Sequence, residues 1–346
     1  MHVLVITQKV DRNDSNLGFF HRWLEEFSRQ ADMVTVICLE EGQHEFSHRV
    51  RVLSLGKEHG QSRFKYLWRF YRYIWKERKM YDAVFVHMNP EYIVLGGLLW
   101  RMMGKKIVLW YTHKSVDLKL RIAEKLSNKI FSSSKESFRI ASPKVSFLGH
   151  GITTHDFPFK AKTPHDVCTI LHVGRISHIK NCEILIEAAH ILTKSLNKKI
   201  KVIFIGEPIK TEDKIYKENL LKLIEKYNLN DIVHFAGSVP NRDIKNHYYK
   251  ADVTVNLSPT GGMDKAVLES WATGTPVVLF NEAFNTFLGT YKKDVLCHYQ
   301  DSADVAQKIT HIALHPNSGM VHELSKKVAQ EFSLEKLITT LCQALQ

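Results

Sequence analysis

Short runs of β-branched and aliphatic residues alternate along the chain with longer stretches whose apolar residues recur at helical spacing. In the first half the runs fall at 2–7, 33–39, 49–55, 82–88, 106–112, 129–134 and 145–149. Helical patterns lie between most of them, for example over 18–31 and 91–103. Near-continuous apolar strands separated by helices argue for a parallel sheet covered on both faces. The pattern restarts in the second half: a strand at 168–174, a helix at 181–196, a strand at 201–206 and a helix at 211–227. Strands at 232–237 and 253–258 follow. Then comes "SPTGGMDKAVLESWATGTPVV" (258–278), a glycine-containing loop, a short helix that Asp264 can cap and Gly274 can end, and a strand entered at Pro276.

The segment "DFPFKAKTPHD" (156–166) breaks both periodicities and carries two prolines, so it reads as a linker. The expected fold class is α/β, with two doubly wound Rossmann-like domains, residues 1–157 and 158–328, facing across a cleft. The segment 329–346 is set apart as a final amphipathic helix. Ligands of such sheets bind outside the carboxyl ends of the strands.

Composition narrows the classes. The chain has 346 residues, 44% of them hydrophobic, enough for two cores. No run of about 18 uncharged apolar residues exists, so no transmembrane helix is expected, and no signal peptide is legible at the start. The five cysteines are scattered, without CxxC, which suits a reducing cytoplasm. No HExxH, Cys/His cluster or DxD is present, so no metal seat is expected. The net charge of +12 is uneven. Residues 1–150 hold 25 basic and 15 acidic residues, and the remainder 23 and 21. Any polyanion would therefore meet the first half.

Two constellations suit a diphosphate. In "HVGRISHIKN", Gly174, Arg175 and Lys180 follow a strand, Arg offering a planar fork and Lys a point charge for phosphate oxygens. In the 258–278 stretch, the backbone N–H groups of Gly262, Met263 and Asp264 open a helix, whose dipole favours an anion. A solvated Arg and Lys, and a capped core helix, are the plain alternatives. Glu269 sits among apolar neighbours, and an isolated carboxylate there costs several kcal/mol without partners. Two vicinal ribose hydroxyls would supply them, as would a salt bridge inside the domain.

"VGRISHIKN", "IGEP", "FAGSVPNRDIKNHYYKADVTVNLS" and "KAVLESWATGTPVV", in this order and spacing, resemble the retaining glycosyltransferases of family 4, which have the GT-B fold. The resemblance spans essentially the whole chain and is stronger in the second half. It implies a nucleotide-diphospho-sugar donor, UDP- or GDP-linked, with metal-independent transfer and no separate cofactor. It implies that Arg175 and Lys180 bind the diphosphate, that Glu269 binds the ribose, and that Gly237 to Val239 lie against the base. Gly18 resembles the family's glycine loop, and His113 in "WYTHK" matches an active-site histidine. His150 stands where the family often has Asn, and the last helix is expected to cross back onto the first domain. Two departures stand out. Gly261 replaces the first of two glutamates usually eight positions apart, leaving Thr260 or backbone N–H groups to contact the donor sugar and Lys265 to add charge beside the phosphates. The glycine loop is also reduced to Gly18 alone.

The implied activity is sugar transfer to a hydroxyl of a glycan or lipid-linked acceptor in cell-envelope polysaccharide or glycolipid synthesis. His113 would orient the sugar, and Arg175 and Lys180 would stabilise the departing nucleoside diphosphate. A catalytically silent nucleotide-sugar binding subunit and an epimerase of the same fold are the alternatives.

"SRFKYLWRFYRYIWKERKM" (62–80) carries a basic stripe of Lys65, Arg69, Arg72, Lys76 and Lys79. Phe64, Leu67, Trp68, Tyr71 and Trp75 form an apolar face, with Tyr66, Phe70 and Tyr73 beside the basic stripe. Two readings stand: contact with an anionic membrane surface, peripheral on its inner face, or an aromatic face packed on the first sheet. No nucleic-acid motif accompanies the charge.

Overall fold

The computed structural model describes residues 1–14, 17–163, 166–259 and 262–346. The chain divides into two units, 1–151 with 334–346, and 152–333. Seven parallel strands form the first sheet: β1 (His2–Val10), β2 (Met33–Glu41), β3 (Val50–Ser54), β4 (Ala83–His87), β5 (Lys106–Trp110), β6 (Lys129–Ser132) and β7 (Val145–Phe147). Their order, β3-β2-β1-β4-β5-β6-β7, reverses direction between β1 and β4. The connecting helices are α1 (Phe20–Gln30), α2 (Arg63–Lys76), α3 (Glu91–Met102) and α4 (Leu118–Leu126).

Strand alternation sorts the apolar residues to two sides. Val3, Val5, Val108 and Trp110 join Trp23 and Phe27 of α1 in one core. Leu4, Ile6, Ile107 and Leu109 join Phe70, Ile93, Trp100 and Leu120 from α2, α3 and α4 in the other. Burial on both faces is why these strands read as unbroken apolar runs.

The second sheet holds β8 (Val167–Val173), β9 (Lys199–Ile205), β10 (Val233–Gly237), β11 (Val253–Asn256) and β12 (Val277–Leu279), all parallel, in the order β10-β9-β8-β11-β12. Its direction reverses between β8 and β11. The helices of this unit are α5 (Cys182–Ser195), α6 (Thr211–Lys226), α7 (Ile244–Lys250), α8 (Lys265–Thr273), α9 (Asn285–Leu288), α10 (Lys292–Val295), α11 (Ser302–Leu314) and α12 (Ser318–Glu331). A last helix, α13 (Leu334–Leu345), returns to the first unit and buries Leu337, Ile338, Leu341 and Leu345 in the core shared with α1.

Three details differ from the sequence expectation. The chain passes between units at 151/152 and 333/334 rather than at 157/158 and 328/329. Ile152 pairs with Ser333, and Phe157 is buried in the second core, which draws the linker segment into that unit. Lys162, expected in a linker, donates to the carbonyls of Tyr248, Tyr249 and Ala251 at the end of α7. Finally, α2 packs through Phe70 and Ile74, with Tyr66 and Tyr73 half-buried, so rings expected beside the basic stripe face the core. The five cysteines are buried and free.

Candidate active site

The carboxyl ends of β8 and β11 flank the point where the second sheet changes direction, the place where ligands of open α/β sheets bind. After β8, Gly174 donates its N–H to Ile205 O at 2.9 Å. Beside it, Gly206 donates to Gly237 O at 2.8 Å. A Cβ on Gly206 would stand 1.9 Å from the Gly174 carbonyl oxygen, so the β9 edge admits only glycine there. The three glycines thus form a low shelf along adjacent strand ends. Gly206 belongs to the "IGEP" motif, but its packing role was not legible from sequence.

Beyond Gly174 the chain makes a single turn at His178–Lys180 before α5. Asn181 joins the two with φ of 47°, a left-handed conformation that Asn tolerates, and its Nδ2 donates to Leu257 O at 2.7 Å. That bond ties the turn to the segment after β11 and brings Lys180 across the direction change. Lys180 Nζ donates to Asp264 Oδ2 at 2.5 Å and to Ser258 Oγ at 2.9 Å. Asn256 Nδ2 and Ser258 Oγ also donate to that carboxylate oxygen, at 3.0 and 3.1 Å. Burial pushes the Asp264 carboxyl up, but the Lys180 ammonium and these hydrogen bonds overcome it and hold the group well below the usual carboxylate range. Asp264 does occupy the N-cap position of α8, yet its side chain makes no capping hydrogen bond. The expectation of a capping side chain is therefore corrected: Lys180 draws the carboxylate away from the helix end.

Arg175 is exposed, and among the described residues its guanidinium makes no hydrogen bond or ion pair. His172, wholly buried under this loop, faces Val255 O through Nδ1 at 3.2 Å. A carbonyl can only accept, so Nδ1 carries the proton and Nε2 an open lone pair. Nε2 has no hydrogen-bond partner among the described residues and lies 3.5 Å from where a Gly174 Cβ would stand. Burial first, then the Lys180 charge, lowers the imidazole to about 4, so it is neutral.

Glu269 lies one turn of α8 beyond Lys265 and is buried. Tyr248 of α7 donates its hydroxyl to Glu269 Oε2 at 3.1 Å, and Asn241 also hydrogen-bonds the carboxylate. Burial raises the Glu269 carboxyl to about 7, against the pull of the Lys265 ammonium. Burial likewise lowers Lys265 to about 7, against the attraction of Glu269. Gly262 is anchored through its carbonyl, which accepts from Asn281 Nδ2 at 3.0 Å, and the Met263 side chain is buried in the core. Gly261 and Thr260 lie outside the described residues. Val239 follows β10 and packs half-buried against the second core.

The structure thus brings Gly174, Lys180, Gly262, Met263, Asp264, Lys265 and Glu269 to one sheet edge, with Gly237 and Val239 at its β10 end. Asn256, Ser258, His172, Gly206, Tyr248 and Asn241 complete the site and were missed by motif reading. Gly18 and His113 belong to the first unit. Gly18 precedes α1, where a Cβ would meet Asp14 O at 2.5 Å, so backbone closure alone requires glycine. His113 is exposed in the loop after β5, edge-on to Tyr111 at 5.7 Å between ring centroids. Met88, after β4, has φ of 67°, a strained value for its side chain, and its sulfur accepts from Thr112 Oγ1 at 3.3 Å.

Among the described residues no group of three or more His, Cys, Asp or Glu is placed to hold a metal ion. No helix among them is long and apolar enough to cross a membrane.

The family described as glycosyl transferases group 1 matches residues 154–330. A D-inositol 3-phosphate glycosyltransferase of Thermomonospora curvata is 30% identical over 157 residues, covering 44% of this chain and 36% of that protein. The chain spans between 36% and 56% of the length of three curated relatives it matches. Among solved structures, Anabaena HepE in complex with UDP superposes with a TM-score of 0.79 at 16% identity, over 100% of this chain and 99% of that one. Sucrose-phosphate synthase from Thermosynechococcus elongatus gives 0.77 at 16% identity, over 98% of both chains. At such identities the likeness establishes the fold, which is GT-B.

Proposed function

The chain belongs to the glycosyl transferases of group 1, and we propose that it moves a sugar from a nucleotide-diphospho-sugar donor to a hydroxyl of a glycan or lipid-linked acceptor. The observation that carries this reading is the cationic group at the direction change of the second sheet, with Glu269 one turn into α8. Arg175, free of partners among the described residues, and Lys180, held in place by Asp264 and Ser258, would face the diphosphate. The start of α8 adds its dipole. Glu269, oriented by Tyr248 and Asn241, would accept the two ribose hydroxyls. Gly237 and Val239 would border the base. That Anabaena HepE binds UDP in the same fold supports a uridine donor, with GDP the other candidate.

Breaking the anomeric bond leaves negative charge on the departing diphosphate, and Arg175 and Lys180 stabilise that charge as it develops. In this mechanism the acceptor hydroxyl attacks from the same face and gives its proton to the leaving phosphate. The configuration is retained, as in family 4, and no divalent cation is required. His113 orients the donor sugar. The setting is the cytoplasmic side of envelope polysaccharide or glycolipid synthesis.

The test is release of nucleoside diphosphate from a panel of UDP- and GDP-sugars with an acceptor preparation from envelope lipids, in buffer with and without EDTA. The wild type should turn over one donor in both buffers, and Arg175→Ala/Lys180→Ala should not. Equal release by the double variant would remove the leaving-group assignment. One observation favours a second reading, a binding subunit without turnover: Asp264 already neutralises Lys180. That subunit would bind nucleotide and release nothing with any donor and acceptor.

A further inference from the structure

The outward side of α2 and α3 plays no part in the donor site. On α2 the residues at spacings of three and four, Phe64, Leu67, Trp68, Tyr71 and Trp75, point away from the core. Phe64 is 79% exposed, Trp68 56% and Trp75 54%. On the neighbouring α3, Leu95, Leu98 and Met102 repeat the pattern, with Leu98 66% and Met102 85% exposed. Tyr71 joins the two rows by donating its hydroxyl to Leu95 O at 3.0 Å. Exposed apolar residues scattered singly need no explanation, but two adjoining rows do.

We propose that this two-helix face docks on an anionic lipid bilayer, its rings and aliphatic side chains entering the boundary between headgroups and acyl chains. Charge identifies the occupant. Residues 62–80 carry seven Lys and Arg and one acid, Glu77. Glu77 is buried and bonded to Arg51 at 3.2 Å, so it does not offset the outward charge. Lys65, Arg72 and Lys76 are exposed beside the apolar row, and Arg72 and Arg78 lie over Trp68 and Trp75 at 5.1 and 4.3 Å. A second copy of the chain would set this basic fringe against itself, and the centres of protein interfaces are depleted in Lys. A bilayer answers both halves of the surface: phosphates meet the fringe, and the acyl boundary meets the rings. The inference is independent of the nucleotide site.

Tryptophan placement supplies the test. Of six tryptophans, Trp23, Trp100, Trp110 and Trp271 are buried, leaving Trp68 and Trp75 to report on this face. The full-length protein is mixed with vesicles of phosphatidylglycerol and phosphatidylcholine in equal parts, or of phosphatidylcholine alone, each with brominated acyl chains. Flotation and quenching are expected with the anionic vesicles only. Phe64→Ser/Trp68→Ser/Trp75→Ser should float less, and its remaining fluorescence should be unquenched. Lys65→Glu/Arg72→Glu/Lys76→Glu should lower partitioning roughly 100-fold. Both variants should melt with the wild type, since no altered side chain is buried. Equal flotation of the charge-reversed protein overturns the proposal. So does a wild-type dimer that the Trp variant dissolves, which would make the face a contact between copies.

Discussion

At the carboxyl end of the second sheet, charged side chains are drawn inward and paired. On the outer side of α2 and α3, aromatic side chains are turned outward and left uncovered. Both invert the usual sorting of apolar residues inside and charges outside, but by different physics. Lys180, Asp264, Lys265 and Glu269 lose hydration, and neighbours such as Asn256, Ser258 and Tyr248 replace part of it. Such a cluster is stable only if every member stays in place, so it positions charge accurately. The α2 row gives up apolar burial for partial contacts only: Arg72 and Arg78 lie over Trp68 and Trp75, and Tyr71 donates to Leu95 O. The contrast separates a cluster ordered from within from a row of side chains left open to solvent.

The largest effect should come from breaking the inward cluster. Lys180→Ala leaves the Asp264 carboxylate without its cation and should cost about 3 kcal/mol of stability in denaturant titration. Adding Asp264→Ala should recover most of that loss while turnover stays absent. A single-variant cost near zero would mean that water already screens the pair. Next comes Gly206→Ala, whose methyl would collide with Gly174 O at 1.9 Å. The shelf must shift, and a loss of about 2 kcal/mol together with weaker nucleotide binding is expected from melting and calorimetry.

A third effect is a pH dependence. The raised pKa of Glu269 contributes stability present below its ordinary 4.5 and lost as pH rises through about 7. The depressed pKa of Lys265 contributes stability present above its ordinary 10.5 and lost as pH falls through about 7. With Glu269 accepting the ribose hydroxyls as proposed, nucleotide affinity should rise with pH through about 7, and Glu269→Gln should flatten that rise. The smallest effect belongs to the outer face. Trp68→Ser/Trp75→Ser should change unfolding free energy by no more than about 0.5 kcal/mol, a null result that sharpens the contrast.

Much of this was legible in the sequence, for physical reasons. Parallel strands buried on both sides read as continuous apolar runs, so both sheets were found nearly strand by strand. Gly174, Lys180, Asp264 and Glu269 could be singled out because glycine, a cation, a helix start and a carboxylate among apolar neighbours each leave a local pattern, and the structure brings the four to one sheet edge. Ser258 escaped because it meets Lys180 from more than 70 residues away, and Asn256 because it meets Asp264 from the end of β11, where no local pattern marks it. Tyr248 escaped because a tyrosine on a short helix is indistinguishable from core until its partner is known. The packing face of α2 was misjudged because that helix has rings on every side. Periodicity finds a stripe, but it cannot choose between two aromatic stripes, and only contact with Ile93, Trp100 and their neighbours decides.

In the proposed function a nucleoside diphosphate binds at the direction change of the second sheet through Lys180 and Glu269. Isothermal titration calorimetry with UDP and GDP, on the wild type, Lys180→Ala and Glu269→Ala, tests it most directly. Binding of one nucleotide by the wild type, at least tenfold weaker in each variant, is the predicted result. Equal binding by all three proteins, or none by the wild type, would contradict it.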